Sequence, residues 1–265
     1  MLNKTVMEIC SSDYPHPPGA GVEVEFETTQ NFTYPAIPDW VAVPDGSLKN
    51  NSMEYIFNGP KPYEDVDGHL DDLYGVLKTA GFELHDTIRT GVHVHINVQE
   101  LTVLDTLKFV LAYIMVEDLI VEWCGDSRIG NLFCLRAKDA EGLITQIKTS
   151  LIEGKSGYLG KNQIRYASVN LTSLLKFGSV EFRALRTQSD PEQIKIFVKV
   201  LKNILDESLK LDWFSIVDDF SQTGLIPFAE RLLGKHHSTI MKGQENIEQR
   251  MIESMRLVQD VIYTR

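Results

Sequence analysis

The chain has 265 residues, 43% of them hydrophobic, with a formal net charge of −11 and 3 cysteines. This composition supports one large or two small globular cores and excludes a disordered chain. The negative charge argues against a bulk electrostatic grip on nucleic acid or on an anionic membrane.

No apolar stretch approaches the roughly 18 to 20 residues that a bilayer requires. Cys10, Cys124 and Cys134 form neither a disulfide framework nor a paired zinc motif. The start, "MLNKTVMEIC", lacks the basic and apolar regions of a signal peptide. A soluble, cytoplasmic protein is therefore expected, with its oligomeric state open between monomer and dimer.

In chain order, "SSDYPHPPGA" (11–20) is turn-rich and predicted irregular. Residues 21–27, "GVEVEFE", alternate as a strand. Residues 31–51 read as loop, with a short strand at Trp40–Val43, and "SMEYIF" (52–57) is the next strand. Val66, Leu70, Leu73, Val76, Leu77 and Ala80 recur at helical spacing over 63–80, closed by Gly81. "VHVHINV" (92–98) is again a strand. The helix predicted over 102–124 opens on Thr102, with Asp105 three residues later as an acidic variant of the capping box.

A shorter amphipathic helix follows over 138–152, then strands "YASVNL" (166–171) and "SVEFRA" (179–184). "DPEQ" starts a helix over 190–212, with Asp190 as cap and Pro191 in the first turn. Helices over 227–233 and 243–262 complete a mostly helical last third.

Side chains alternate across a strand, so each strand has an apolar back and a polar front. The fronts carry Glu23, Glu25 and Glu27; Ser52 and Glu54; His93, His95 and Asn97; Ser168 and Asn170; and Ser179, Glu181 and Arg183. An antiparallel sheet with one wet face accounts for the alternation but not for the choice of residues. Glu and His dominate and Lys is absent, although like charges across a sheet cost free energy. Divalent cations offset that cost. The donors are carboxylates and imidazoles without thiolate, which suits Mg²⁺ or Mn²⁺. Residues two apart on a strand are separated by roughly 6.5 to 7 Å, so Glu23 and Glu25 suit two neighbouring ions better than one.

The ordered set "GVEVEFE", "SMEYIF" after "PDGS", "GVHVHIN", "RYASVNL" and "SVEFRAL" resembles the amidoligase family. This is the compact branch of the carboxylate–amine ligase superfamily that includes glutamine synthetase and glutamate–cysteine ligase. The resemblance covers about residues 20–187. It implies an α+β fold with a curved antiparallel sheet, a polar metal- and ATP-binding face, helices on the apolar back and a helical C-terminal third. It implies a single domain over 1–265, with an irregular segment 1–19, a catalytic sheet with inserted helices over 20–187, and a helical region 188–265.

It further implies an ATP-dependent ligase that joins a small-molecule or peptide carboxylate to an amine through an acyl phosphate, with Mg²⁺ or Mn²⁺. Glu25 and Glu54 would hold the ion nearer the carboxylate, with Glu54 counted among the catalytic residues. Glu23, His93 and Glu181 would hold the ion that bridges ATP phosphates. His95 would contact phosphate or substrate, Arg183 would meet the transferring phosphoryl group, and Asn170 would orient nucleotide or substrate. The chain is much shorter than glutamine synthetase and carries nothing like that enzyme's separate N-terminal domain.

Beside this set, the glycine-rich "GKSGYLGKNQIRY" (154–166) carries Lys155, Lys161 and Arg165. It reads either as a loop contacting phosphate or as a solvated connector. Lys161 and Arg165 are taken as nucleotide-binding candidates, and Arg128 in "CGDSRIGN" as a candidate for the substrate carboxylate. Two alternatives stay open: a metal-dependent hydrolase using the HxH and Glu cluster, and a non-catalytic module that binds nucleotide or metal.

Overall fold

The computed structural model describes residues 2–28, 33–46, 48, 51–82, 87, 89–125, 128–129, 134–161 and 166–264, without the side chains of 51, 141, 220 and 221. The fold is α+β. Six strands, β1 (Ala20–Thr28), β2 (Trp40–Val43), β3 (Asn51–Phe57), β4 (Gly91–Asn97), β5 (Val169–Asn170) and β6 (Ser179–Arg186), form one sheet in the order β2-β3-β1-β4-β6-β5. Every pairing is antiparallel, and the sheet is curved and unclosed. The helices are α1 (Val66–Thr79), α2 (Val103–Trp123), α3 (Glu141–Glu153), α4 (Thr172–Phe177), α5 (Glu192–Lys210), α6 (Ser215–Thr223), α7 (Leu225–Leu233), α8 (His237–Ile240) and α9 (Ile247–Ile262). None is long and apolar enough to cross a membrane among the described residues.

The apolar halves of the strands face helices. Phe26 of β1 meets Tyr74 of α1 edge to face at 6.0 Å and Tyr55 of β3 at 6.1 Å. Phe182 of β6 stacks against Phe109 and Tyr113 of α2 at 5.3 and 4.7 Å. Removing each such aromatic from water contributes about 2 kcal/mol or more. Helix α2 is buried nearly all round from Val103 to Val121, which makes it the central pillar rather than a surface helix. It packs chiefly against α9 and α5, and less extensively against α7 and β6.

The caps follow the local sequence. Thr102 Oγ1 accepts the Asp105 N–H at 3.0 Å and donates to the Asp105 carboxylate at 2.7 Å, closing the predicted box at the α2 N-terminus. Asp190 accepts the Glu192 N–H at 3.0 Å, so it tethers the start of α5 from just outside the helix.

One strand differs from expectation. The run over 166–171 shrinks to Val169–Asn170. Ser168 does not join the polar front, because its hydroxyl donates to Glu117 of α2 and lies 3.4 Å from the Tyr113 hydroxyl. Its backbone N–H goes to Leu135 O, and its carbonyl accepts the Arg183 N–H at 2.8 Å. The buried Glu117 carboxylate needs donors, and that demand turns Ser168 toward the helix.

Candidate active site

The cross-strand register assembles the polar front. Glu25 lies opposite Glu54, Glu23 opposite His93, and His95 opposite Glu181, which in turn lies opposite Asn170. Sequence separations of up to 158 residues therefore collapse into one patch spanning β3, β1, β4, β6 and β5.

His93 stands at its centre. His93 Nδ1 lies 3.1 Å from Glu23 Oε2, 3.7 Å from Glu181 Oε1 and 3.5 Å from the Arg183 guanidinium. Its Nε2 lies 3.8 Å from Glu25 Oε1. His95 Nε2 sits 3.2 Å from Glu23 Oε1, without the alignment of a hydrogen bond, and His95 Nδ1 meets Ser179 Oγ at 3.2 Å.

Glu181 is clamped from both sides. Asn170 Nδ2 donates to its Oε2 at 2.6 Å, and Arg183 holds its Oε1. Asn170 Oδ1 meanwhile accepts from the Thr172 N–H and hydroxyl, at 2.9 and 2.7 Å, at the first residue of α4. Asn170 is thus committed to orienting Glu181 and tethering α4. Arg183 Nε is buried and finds no acceptor among the described residues, so this guanidinium keeps a donor for a ligand.

Electrostatics divides the carboxylates. Burial works to raise the pKa of Glu23, but the hydrogen bond from His93, the close contact with His95 and the charge of both rings outweigh it and hold the carboxyl well below the usual range. Burial is likewise outweighed at Glu181, by His95, His93 and Arg183. Glu54 goes the other way. Burial, reinforced by repulsion from Glu23, Glu25 and Asp45, pushes it up to about 8. Burial also raises Glu25, against the pull of His93 and the Gly91 N–H. For His95, burial lowers the pKa, but the contact with Glu23 and the charge of Glu181 prevail and raise it. The fold's own cations leave this patch short of positive charge.

The donor set fits a hard divalent cation. One ligand atom each from Glu23, Glu54 and His93 lie within 4.8 Å of one another, and the same is true of Glu23, His95 and Glu181. Around a cation with bonds near 2.0–2.1 Å, ligand atoms stand roughly 3 to 4 Å apart, so small movements would close either group. Glu23 belongs to both. Glu25 is in neither group, and its Oε2 accepts the Gly91 N–H at 2.6 Å, which leaves Oε1 free of that bond. A side chain at Gly91 would press on the site: its Cβ would lie 3.2 Å from the Arg128 guanidinium and 3.3 Å from Glu25 Oε2 and His93 Nε2, so these groups would have to give by a few tenths of an ångström.

Of the remaining candidates, Arg128 adjoins Glu25 at Gly91. Arg128 is buried behind Gly91 and donates to Leu185 O. Lys161 is exposed, with its ammonium 4.5 Å from the Tyr158 ring centroid. Arg165 lies outside the described residues. Glu27 is buried opposite Ser52.

Two contributors, Asp45 and Thr187, escaped the sequence reading. Asp45, in "PDGS", brings its charge to bear on Glu54 and Glu25. Ser179, already on the expected polar front, meets His95. Buried Thr187 donates to the Glu25 carbonyl at 2.6 Å and lies 3.2 Å from the Gly91 carbonyl, pinning the end of β6 across β1 and β4.

No curated protein and no solved structure matches the chain. A protein family described as "Putative amidoligase enzyme" matches residues 60–205. That segment contains His93, His95, Asn170, Glu181 and Arg183, and the sheet register sets Glu23, Glu25 and Glu54 beside them. With more than half of its length matched, the chain belongs to this amidoligase family.

Proposed function

We propose that the chain is an ATP-dependent ligase that joins a small-molecule or peptide carboxylate to an amine, through an acyl phosphate, with Mg²⁺ or Mn²⁺. The observation that carries this reading is the convergence of Glu23, Glu54, His93, His95 and Glu181 on one face, with Arg183 in contact with Glu181, in a chain of the amidoligase family. Glu23, Glu54, His93, His95 and Glu181 would hold the divalent ions, which when bound neutralise phosphate charge and align the oxygens of the transfer.

The chain's own residues supply the rest. Arg183, whose Nε has no acceptor among the described residues, would turn its guanidinium to the phosphoryl oxygens. Asn170 keeps the Glu181 carboxylate in one orientation, and Glu25, fixed by the Gly91 N–H, adds negative charge beside Glu54. An arginine clamped beside a ligand carboxylate suits phosphoryl transfer and has no part in simple metal hydrolysis, which favours the ligase.

The test is ADP release from ATP across a panel of acids and amines. Release that requires a divalent ion, a carboxylate and an amine together is the expected result. Metal-dependent hydrolysis of amides or esters without ATP would replace this reading with a hydrolase.

A further inference from the structure

Two clefts meet at Glu23 and His95, and their walls differ in chemistry. The larger, about 520 Å³, is bounded by Ser11, Thr172, Ser173, Lys176 and Glu181. The smaller, about 250 Å³, lies over Gly21 and is walled by Ile56, Pro60, Phe177 and His16, with apolar surface predominating. Ile56 lies opposite Glu23 in the register, two residues beyond Glu54, and so stands on the carboxylate face. Gly21 occupies the same face, two residues before Glu23 and opposite His95. Its backbone does not demand glycine: φ is not positive, and a Cβ would meet only His95 Cβ, at 3.4 Å. What the missing side chain provides is space.

The far wall is fastened by one buried amide. Gln99, 2% exposed, accepts the His16 N–H at 2.7 Å and donates to Tyr14 O and Phe177 O at 3.2 and 3.1 Å. Asn97 adds bonds to His16 O and Pro17 O at 2.9 and 2.8 Å, and the Ser11 N–H reaches Leu175 O at 2.8 Å. The segment 11–17 is thereby strapped to the end of α4. Gly178 closes that helix at φ 74°, where a Cβ would fall 2.4 Å from Gln99 Cγ, so the clasp depends on glycine there. The smaller cleft is a built compartment.

The geometry points to this compartment as the pocket for a single apolar side chain, aliphatic or aromatic, of an amino acid used as the acid or the amine, with its polar end turned to Glu23 and His95. A cavity of about 150 Å³ already holds benzene, so the compartment has room for a leucine or phenylalanine side chain. The larger cleft, with Lys176 and hydroxyl groups on its wall, is left for phosphate-bearing ligand. The role given to the ligand rests on the ligase reading; its binding does not.

The experiment is saturation-transfer NMR on the full chain in Mg²⁺ buffer, with L-leucine, L-phenylalanine and L-glutamate as probes. Leucine or phenylalanine is expected to bind at least tenfold more tightly than glutamate. Gly21→Val, which fills the floor, and Phe177→Ala, at a half-exposed position that borders both clefts, should each weaken leucine binding at least fivefold, and Gly21→Val should leave ATP binding unchanged. Binding of 4-methylpentanoate or of isoamylamine supports the assignment, and whichever binds identifies the end that faces the cluster.

Glutamate binding as tightly as leucine, no binding of any probe, or unchanged leucine binding in both variants overturns it. So does loss of ATP rather than leucine in Gly21→Val, which would give the compartment to the nucleotide base. Failure of the ligase reading would appear differently, as absent ADP release with leucine binding intact.

Discussion

Buried charge occurs in two regions of this molecule, and the fold treats it differently in each. On α2, Asp118 is held between Arg136 and Lys138 at 3.1 and 2.7 Å. Lys108 lies 2.8 Å from Asp105 and donates to Leu211 O at 3.0 Å. Glu117 accepts from the Ala137 N–H and Ser168. On the sheet front, Glu23, Glu25 and Glu54 crowd one another, with Arg183, Arg128 and two histidines as nearby countercharges among the described residues. Burying a charge without a partner costs several kcal/mol. Asp118 and Lys108 meet that cost inside the fold and Glu117 meets it only in part, whereas on the proposed reading the sheet cluster would leave it for a cation to meet. That contrast separates structural charge from functional charge more sharply than burial alone.

The largest effect should come from the front. Glu181→Gln or Arg183→Ala should lower turnover by roughly 10³-fold or more, while thermal unfolding moves by only a few degrees. Ligase assays beside a melting curve check this, and turnover within tenfold of the parent in either variant would dissolve the distinction.

The next effect belongs to Glu117, whose pKa burial raises to about 7. A carboxyl raised in the fold keeps its proton longer there than in the unfolded chain. Stability therefore falls as pH rises from about 4.5 to 7 and stays low above that. Glu117→Gln removes the loss, so it should gain up to about 3 kcal/mol at pH 8 and nothing near pH 4. Denaturant titrations at the two pH values decide it, since a gain independent of pH contradicts a buried titrating carboxyl.

The smallest is Asp118→Ala, which strands Arg136 and Lys138. It should cost about 2 kcal/mol, lower the melting temperature by roughly 5 °C and leave specific activity unchanged. Loss of activity without loss of stability would place Asp118 in the wrong class.

Much of the front was legible in the sequence, because period-two alternation records which side chains share a face. The strands holding Glu23, Glu54, His93 and Glu181 emerge within one or two residues of expectation. Register between strands is not written in any single strand, so the sharing of Glu23 by both groups of ligand atoms could not be read. Helix α4 has only six residues, too few for a periodic pattern to show. Gln99 looks like an ordinary loop residue until the chain folds and brings residues 14, 16 and 177 to its amide. Ser168 kept its alternation in the sequence, yet turned to α2 because Glu117 lacked donors.

The central claim is that the front-face carboxylates need a divalent cation before they accept a triphosphate. Calorimetric titration of ATP into the protein, once with Mg²⁺ and once in EDTA, tests it most directly. Saturable binding with Mg²⁺ and none in EDTA is the predicted result, whereas equal affinity in both buffers would contradict it.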